Sequence, residues 1–157
     1  MISLRTVDAA LREQVLDLEP APGQVRFSGV AVDTLPAAER HRTRHAVAIL
    51  RDAHAVGFLA LDHADPICAY TATDPSVALR AFFVDAHVQR QGIASAALRV
   101  LPAFVRRHHH QAEFVVLTVN VSNLVAVRLY ERAGFVDTGR VHLGGTVGPQ
   151  NVLVLRL

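Results

Sequence analysis

The chain has 157 residues, of which 51% are hydrophobic and 19% are charged, and its formal net charge is +2. This length is near the usual size of one domain and apolar residues occur along all of it, so we predict a single domain over residues 1–157. The small charge falls short of a nucleic-acid-binding patch, and the lack of any run of about 18 apolar residues excludes a membrane-spanning helix.

The N-terminal part of the chain predicts a strand followed by two helices. Ile2 to Val7 alternates apolar and polar residues, as a half-buried strand does, and Asp8 can cap a helix over Ala9 to Leu18. A second helix is predicted over Ala37 to Arg44, because Pro36 suits a helix start. Its many polar side chains indicate a position on the surface.

Apolar runs in the next segment predict three strands. His45 to Leu50 and Val56 to Leu61 are separated by five residues, which predicts an antiparallel hairpin with a five-residue loop. Gly57 predicts a bulge in this hairpin, because a glycine inside a strand often marks one. Val77 to Val84 predicts the third strand.

The middle of the chain predicts a helix between two parallel strands. From Ile93 to Val105 the apolar residues recur with a helical period, and Pro102 predicts a bend in that helix. The valine-rich run Phe114 to Val119 predicts the strand that follows. A strand on either side of one helix implies a parallel pair joined by a right-handed crossover.

The C-terminal part predicts one more helix and two closing strands. Ser122 or Asn123 can cap a helix that runs to Arg132. Strands are predicted over Phe135 to Val141 and over Asn151 to Leu157. The whole pattern predicts a mixed α/β domain with a largely antiparallel sheet and one parallel crossover.

Composition also excludes several kinds of site and partner. Cys68 is the only cysteine, so there is no disulfide and no cysteine-based metal site, which fits a cytoplasmic protein. Adjacent residues on a helix point about 100° apart, so His108, His109 and His110 cannot converge on one ion. The arginines lie apart from aromatic residues, and we expect no metal, no nucleic acid and no membrane among the partners.

The segment Val84 to Ala94 combines a strand end, a turn and the start of a helix. The first N–H groups of a helix have no internal partners and the helix dipole adds positive charge, so this position can bind an anion. Gly92 allows close approach of a ligand to the backbone, and Ala94 is small. On these residues alone, an ordinary tight turn is the favoured interpretation.

Asn123 and Tyr130 form a second candidate element. They are seven residues apart, which is about two helical turns, and they therefore share one face of the last helix. On these residues alone, Asn123 can equally be a helix cap and Tyr130 a half-buried aromatic residue.

The two elements resemble motifs of the GNAT superfamily of N-acetyltransferases. Gln89-x-x-Gly92-x-Ala94 is similar to its acetyl-CoA signature, Gln/Arg-x-x-Gly-x-Gly/Ala. A second segment resembles the motif that follows this signature in the superfamily, and its residues are Asn123-x-x-Ala126-x-x-Leu129-Tyr130-Glu131-x-x-Gly134-Phe135. The resemblance is firm over residues 77–135 and only general before them. It implies the GNAT acyl-CoA N-acyltransferase fold, with central strands that splay apart.

The resemblance also implies a set of site residues. Main-chain groups of Phe82, Phe83 and Val84 would pair with the pantetheine arm of acetyl-CoA, and Asn123 would reach that arm. Tyr130 would be the catalytic donor to the departing sulfur. The residues expected to hold the pyrophosphate are Gln89, Arg90, Gln91, Gly92, Ile93, Ala94 and Ser95.

The implied reaction is direct attack of an amine on the acetyl thioester, which requires that the ammonium first lose a proton. An ammonium of pKa about 10.4 is only about one part in a thousand neutral at pH 7, so a base or a water chain must assist. The candidates by residue type are Asp33, Glu39, Asp62, His63 and Asp65.

The implied acceptor is a primary amine of a small molecule. The tail from Asp137 onward resembles bacterial acetyltransferases of polyamines, but Gly145 or Thr146 stands where those relatives often carry an acidic residue. This departure puts a polycationic acceptor in doubt. A non-catalytic coenzyme A sensor and a peptide or protein N-acetyltransferase are the alternatives, and a homodimer is a reasonable expectation.

Overall fold

The computed structural model describes residues 1–72 and 74–157, and over these residues seven strands form one sheet. The strands are β1 (Ile2–Thr6), β2 (Arg44–Arg51), β3 (His54–Asp62), β4 (Ser76–Val84), β5 (Phe114–Asn120), β6 (Val136–His142) and β7 (Gln150–Arg156). Their order is β1-β2-β3-β4-β5-β7-β6, in which β4 and β5 are parallel and the other neighbours antiparallel. This is the predicted mixed α/β architecture with one parallel crossover.

Five α-helices accompany the sheet in the described part of the chain: α1 (Ala9–Leu16), α2 (Val25–Ser28), α3 (Ala31–Arg40), α4 (Ile93–His108) and α5 (Leu124–Arg132). Side chains of α4 and α5 pack on one face of the sheet, and those of α1 and α3 pack on the other. No helix among the described residues is both long and apolar enough to span a membrane.

The helix caps are largely as predicted. The Asp8 carboxylate accepts a hydrogen bond of 2.9 Å from the N–H of Leu11, and Asn123 accepts from the N–H of Ala126 at 3.4 Å. Asn123, and not Ser122, is therefore the cap of α5. Pro102 lies inside the uninterrupted helix α4, and the bend expected there stays a prediction.

The predicted second helix was wrong in its bounds, because α3 begins six residues earlier than Ala37, at Ala31, and ends at Arg40. Ala31, Leu35 and Ala38 are all buried, at 0%, 0% and 2% exposure. Their spacing places them on one helical face that packs against the sheet. Burial of this face outweighs the one hydrogen bond that Pro36 removes from the helix interior.

The predicted five-residue hairpin loop was also wrong. Strands β2 and β3 continue to a two-residue turn of Asp52 and Ala53, which have φ of +49° and +74°. Positive φ at both positions is the signature of a type I′ turn, whose twist matches the two strands. The bulge predicted at Gly57 is present, because the pairing shifts register directly after the pair Ile49 and Gly57.

The sheet divides in its middle. Strands β4 and β5 pair only through Ser76 with Phe114, Val77 with Val115 and Ala78 with Val116. Beyond these three pairs β4 remains bonded to β3, and β5 to β7, but not to each other. The splay of the central strands is thereby confirmed, and it leaves a wedge open toward Val84 and Asn120.

Candidate functional site

The wedge between β4 and β5 is part of a cleft of about 1220 Å³. Its wall is made by the second half of β4, the turn before α4, the face of α5, the loop between β6 and β7, and α2. This volume exceeds that of an ordinary small-molecule pocket and leaves room for a long ligand together with a second, smaller one.

A bulge shapes the β4 side of the cleft. Phe58 of β3 pairs with Phe83 and Ala60 pairs with Arg80, so two residues of β4 lie opposite a single residue of β3. Ala81 in the bulge has a φ of +55°, a left-handed conformation that costs a residue with a β-carbon about 1–2 kcal/mol. Such strain persists where the surrounding structure enforces it, commonly at functional sites.

The turn before α4 has the geometry of an anion site. Arg90 and Gly92 have φ of +60° and +76°, and Gly92 is the N-cap residue of α4, directly before its first residue, Ile93. No side chain among the described residues caps this helix end, so the N–H groups of its first turn remain open to a ligand. A β-carbon on Gly92 would have no described atom within 4 Å other than those of its own residue and its two chain neighbours, so the space in front of the turn is free.

Internal hydrogen bonds fix this turn in place. The Gln89 side chain donates to the carbonyl of Val84 and to the Gln24 side chain, both at 3.0 Å. Gln89 thus braces the turn with its side chain. Gln91, in contrast, accepts a hydrogen bond of 2.7 Å from Arg51 and is the one predicted site residue that does not line the cleft.

Asp85, which the sequence did not single out, anchors the same turn. It is 8% exposed and accepts hydrogen bonds from the backbone of Glu19 at 3.1 Å and from the backbone and ring of His87, both at 2.9 Å. Burial alone would raise the pKa of this carboxyl, but the hydrogen bonds from His87 and Glu19 outweigh it and hold the pKa below its usual value. Asp85 thereby ties the segment after α1 to the turn.

Tyr130 lies in the cleft wall between two aromatic rings. Its ring centroid is 6.1 Å from that of Phe82 and 5.6 Å from that of Phe135. The ring borders the cleft, yet dense packing around the phenol raises the pKa of Tyr130, so the hydroxyl keeps its proton at neutral pH. Within the described part of the chain this hydroxyl has no hydrogen-bond partner, which leaves it free to donate to a ligand.

Of the five residues considered as bases by type, Asp65 alone lines the cleft. Glu39 is paired with Arg12 at 2.9 Å, and Asp62 with Arg44 at 3.0 Å. Asp33 and His63 are also outside the cleft lining. The Asp65 side chain is itself 2% exposed, forms an ion pair with Arg80 and accepts from the N–H of Ile67 at 2.9 Å.

His142 is a cleft residue that sequence reasoning missed. It stands at the end of β6, and its Nδ1 lies 3.0 Å from the hydroxyl of Tyr70. The second ring nitrogen makes no hydrogen bond with the residues that the structure describes. No local pattern could have indicated this pair, because 72 positions separate the two residues in the sequence.

A second group of histidines lies outside the cleft. His45 Nδ1 is 3.0 Å from His109 Nε2, and His45 Nε2 is 2.7 Å from the Thr6 hydroxyl. Burial, with His109 and His108 nearby, lowers the pKa of His45 to about 4. Over residues 1–72 and 74–157 no three histidine, cysteine or acidic side chains are arranged to hold a metal ion.

Comparison with known proteins identifies the family to which the chain is similar. Residues 12–135 match the acetyltransferase (GNAT) family. An uncharacterized N-acetyltransferase of Bacillus subtilis (strain 168), YbbJ, is 32% identical over 129 residues, which cover 82% of this chain and 80% of that protein.

Two similar solved structures contain coenzyme A. The aminoglycoside acetyltransferase AAC(6')-Ib in complex with coenzyme A has a TM-score of 0.74 at 19% identity, covering 99% of this chain and 95% of that one. Spermidine N-acetyltransferase from Vibrio cholerae, in complex with CoA and spermine, has a TM-score of 0.73 at 15% identity, with the same coverage of 99% and 95%. At these identities the likeness concerns the fold.

Proposed function

The chain belongs to the acetyltransferase (GNAT) family and is an N-acetyltransferase, and from this premise we propose that it transfers the acetyl group of acetyl-CoA to a primary amine of a small molecule. The observation that carries the proposal is the cleft itself. It joins an uncapped helix end, a strand edge without a partner and a tyrosine hydroxyl in one continuous space.

The residues of the cleft fit a coenzyme A thioester. Free N–H groups at the start of α4, with Gly92 in the left-handed conformation, suit the pyrophosphate. The unpaired edge of β4 from Phe82 to Val84 suits an amide-containing arm, which can bond to it as an added strand would. Asn123 lines the same space from the start of α5.

Acetyl-CoA supplies the acetyl thioester, whose carbonyl carbon is attacked by the neutral amine. The β4 bulge leaves main-chain groups at Ala81 and Phe82 outside both neighbouring ladders, so an N–H there can donate to the thioester oxygen. The Tyr130 hydroxyl donates to the sulfur as it leaves. Burial raises the pKa of Tyr130, so the phenol gives up its proton less readily. The hydrogen bond from its hydroxyl can stabilise the departing sulfur even where the proton is not fully transferred.

For the proton that the ammonium must lose, we propose the free ring nitrogen of His142 as the acceptor. Among the described residues of the cleft wall, His142 and Asp65 are side chains of the types that serve as general bases in enzymes. Asp65 is buried and already paired with Arg80, whereas His142 is held on one side only, by Tyr70. Tyr70 is a positioning residue in this scheme.

The proposal is tested by following release of coenzyme A thiol from acetyl-CoA with amino acids, polyamines, aminoglycosides and N-terminal peptides as acceptors, beside thermal melts with acetyl-CoA, NAD and ATP. Acetyl-CoA at about 100 times its Kd should stabilise the fold by ~2.7 kcal/mol, and the other nucleotides should not.

A melt shift without thiol release would favour the non-catalytic sensor, and release confined to peptides would favour a peptide or protein N-acetyltransferase. A melt that does not respond to acetyl-CoA would contradict the proposed function. A cytoplasmic location and a homodimer stay predictions from the sequence.

A further inference from the structure

The charges of the cleft wall are strongly one-sided. The arginines that line it are Arg26, Arg80, Arg90, Arg128 and Arg132, and among the described lining residues the one carboxylate is Asp65. The side chain of Asp65 is 2% exposed, and its oxygens accept from Arg80 and from the backbone of Ile67. The described lining of the cleft therefore offers no free carboxylate to an acceptor that carries several ammonium groups.

Arg80 occupies a special place among these arginines. Arg90 belongs to the turn before α4, where the phosphate groups of the cosubstrate are proposed to bind, whereas Arg128 and Arg132 belong to α5. Arg80 lies on β4 directly before the bulge at Ala81, so it is beside the point where the thioester is expected. Arg80 is thus a cationic group on the acceptor side of that point, and Arg26 of α2, which also lines the cleft, has its guanidinium 4.5 Å from the centroid of the Phe27 ring.

The Arg80 guanidinium has N–H donors that its bond to Asp65 does not use. Its side chain is 45% exposed although its partner Asp65 is 2% exposed, and the bond to Asp65 uses one of its nitrogens, Nη1. A guanidinium presents five N–H donors in a planar fork that matches a carboxylate. The buried Asp65 holds this fork in a fixed orientation while one side of it stays open to the cleft.

Apolar surface lies next to this cation. Phe27, Ser28, Arg80 and Ala81 border both the cleft and a second pocket of about 150 Å³, and Ile67 lines the cleft nearby. A small acceptor can therefore place an anionic group on Arg80 and a side chain of modest size against Phe27.

We propose that the acceptor is an amine that carries a carboxylate, as an α-amino acid does, and that Arg80 binds this carboxylate beside the β4 bulge. The inference rests on the proposed function and narrows its acceptor class. It differs from the aminoglycosides after which the first of the two similar solved structures is named and from the spermine bound in the second, which are polycations. In an α-amino acid a single carbon separates the amine from the carboxylate, so binding at Arg80 keeps the nitrogen close to the bulge.

The test compares acceptors that differ only in the carboxylate. Each amino acid of a panel is assayed beside its amide and its decarboxylated amine, with spermidine as a polycation, and kcat/KM is measured by thiol release. We expect the acid to exceed its amide by roughly tenfold to a hundredfold, the usual worth of a charge-assisted hydrogen bond. Amides, amines or spermidine that match or exceed the acids would overturn the inference and leave the proposed function intact.

Variants of Arg80 provide the second arm. Arg80→Gln should raise KM for the acid by roughly tenfold or more and change that of the amide little. Because this substitution leaves Asp65 buried without its partner, the double variant Arg80→Gln/Asp65→Asn removes both charges and keeps the fold testable. Arg106→Gln, on the exposed end of α4 and outside the cleft lining, is the matched control and should retain the preference for acids.

Calorimetric binding of the amino acids to the complex with coenzyme A gives a readout that does not depend on turnover. Acids that bind to the parent chain and lose this affinity in the Arg80 double variant would support the inference. Equal binding of acids by the parent and the double variant would refute it. A panel in which no amine of any class releases thiol would instead refute the proposed function.

Discussion

Replacing Gly92 with glutamate tests where the phosphate groups bind, and the chain provides a matched control. Gly92 and Gly139 both have a φ of +76°, and a β-carbon on either would have no atom within 4 Å. Gly92 lines the cleft, whereas Gly139 lies in β6 and does not line it. Gly92→Glu and Gly139→Glu therefore introduce similar backbone strain, of about 1–2 kcal/mol, and differ in what the new carboxylate faces.

The loss of affinity can be worked from the position of the new charge. At about 5 Å from a phosphate and an effective dielectric constant of about 20 to 40, each like-charge pair costs roughly 2–3 kcal/mol, or about 30- to 150-fold in Kd. Acetyl-CoA at about 100 times the parent Kd stabilises the parent by ~2.7 kcal/mol. At the same concentration Gly92→Glu should gain less than about 1 kcal/mol.

The assay is a thermal melt of the three proteins with and without acetyl-CoA. For a chain of this length, 1 kcal/mol corresponds to a shift of about 2–4 °C, so we expect roughly 5–11 °C for the parent and for Gly139→Glu and below about 4 °C for Gly92→Glu. Gly92→Gln separates charge from bulk and should lose less of the shift than the glutamate. Equal shifts in Gly92→Glu and Gly139→Glu would place the phosphates elsewhere and refute the reasoning.

Three further predictions concern single side chains. Tyr130→Phe keeps the ring and should keep the acetyl-CoA melt shift while kcat falls by roughly 10² to 10⁴, and a rate within about threefold of the parent would remove the donor role. His142→Gln should lower kcat by roughly 10² or more. Tyr70→Phe removes only the positioning hydroxyl and should lower kcat less. An unchanged kcat in His142→Gln would exclude His142 as the base. Because the pKa of folded His45 is lowered to about 4 and that of the unfolded chain is about 6.5, the stability from neutral His45 is complete above pH 6.5 and declines toward pH 4. Between pH 6.5 and pH 4, the free energy of unfolding measured in urea should fall by about 1–2 kcal/mol less in His45→Gln than in the parent, after allowance for the partial exposure of His45. The same dependence of the free energy of unfolding on pH in both proteins would contradict the assignment.

The turn that is proposed to hold the phosphates could be predicted from sequence because its geometry is local. A strand end, a glycine at the required left-handed position and a helix start lie within residues 84–94, so a short motif carries the geometry. The same holds for Asn123 and Tyr130, which one helix places on one face. Eleven of the twelve predicted site residues line the cleft, and the exception, Gln91, points to Arg51.

The misses come from contacts between distant segments. The start of α3 is set by burial of Ala31 and Leu35 against the sheet, which local propensity around Pro36 cannot register. The turn at Asp52 and Ala53 lacks the glycine that usually marks its type, so its sequence resembled a longer loop. The proposed acceptor side of the cleft depends on two pairs, Arg80 with Asp65 and Tyr70 with His142, and the members of each pair meet only in the folded chain.

Three residue pairs join β4 and β5, so the sheet consists of two half-sheets that are connected at one end. We call this connection, at Ser76 to Ala78 and Phe114 to Val116, the root of the sheet. The inward-pointing amides near Val84 and Asn120 lack strand partners, while those at Val77 and Val115 are bonded across the junction. Amide hydrogen exchange should therefore be slow at the root and fast along both inner edges of the free protein. Binding of acetyl-CoA should slow exchange chiefly on the β4 edge, where its arm completes the ladder, and leave the Asn120 edge of β5 less protected. Equal protection of both edges would mean that the two half-sheets close on each other when the cosubstrate binds.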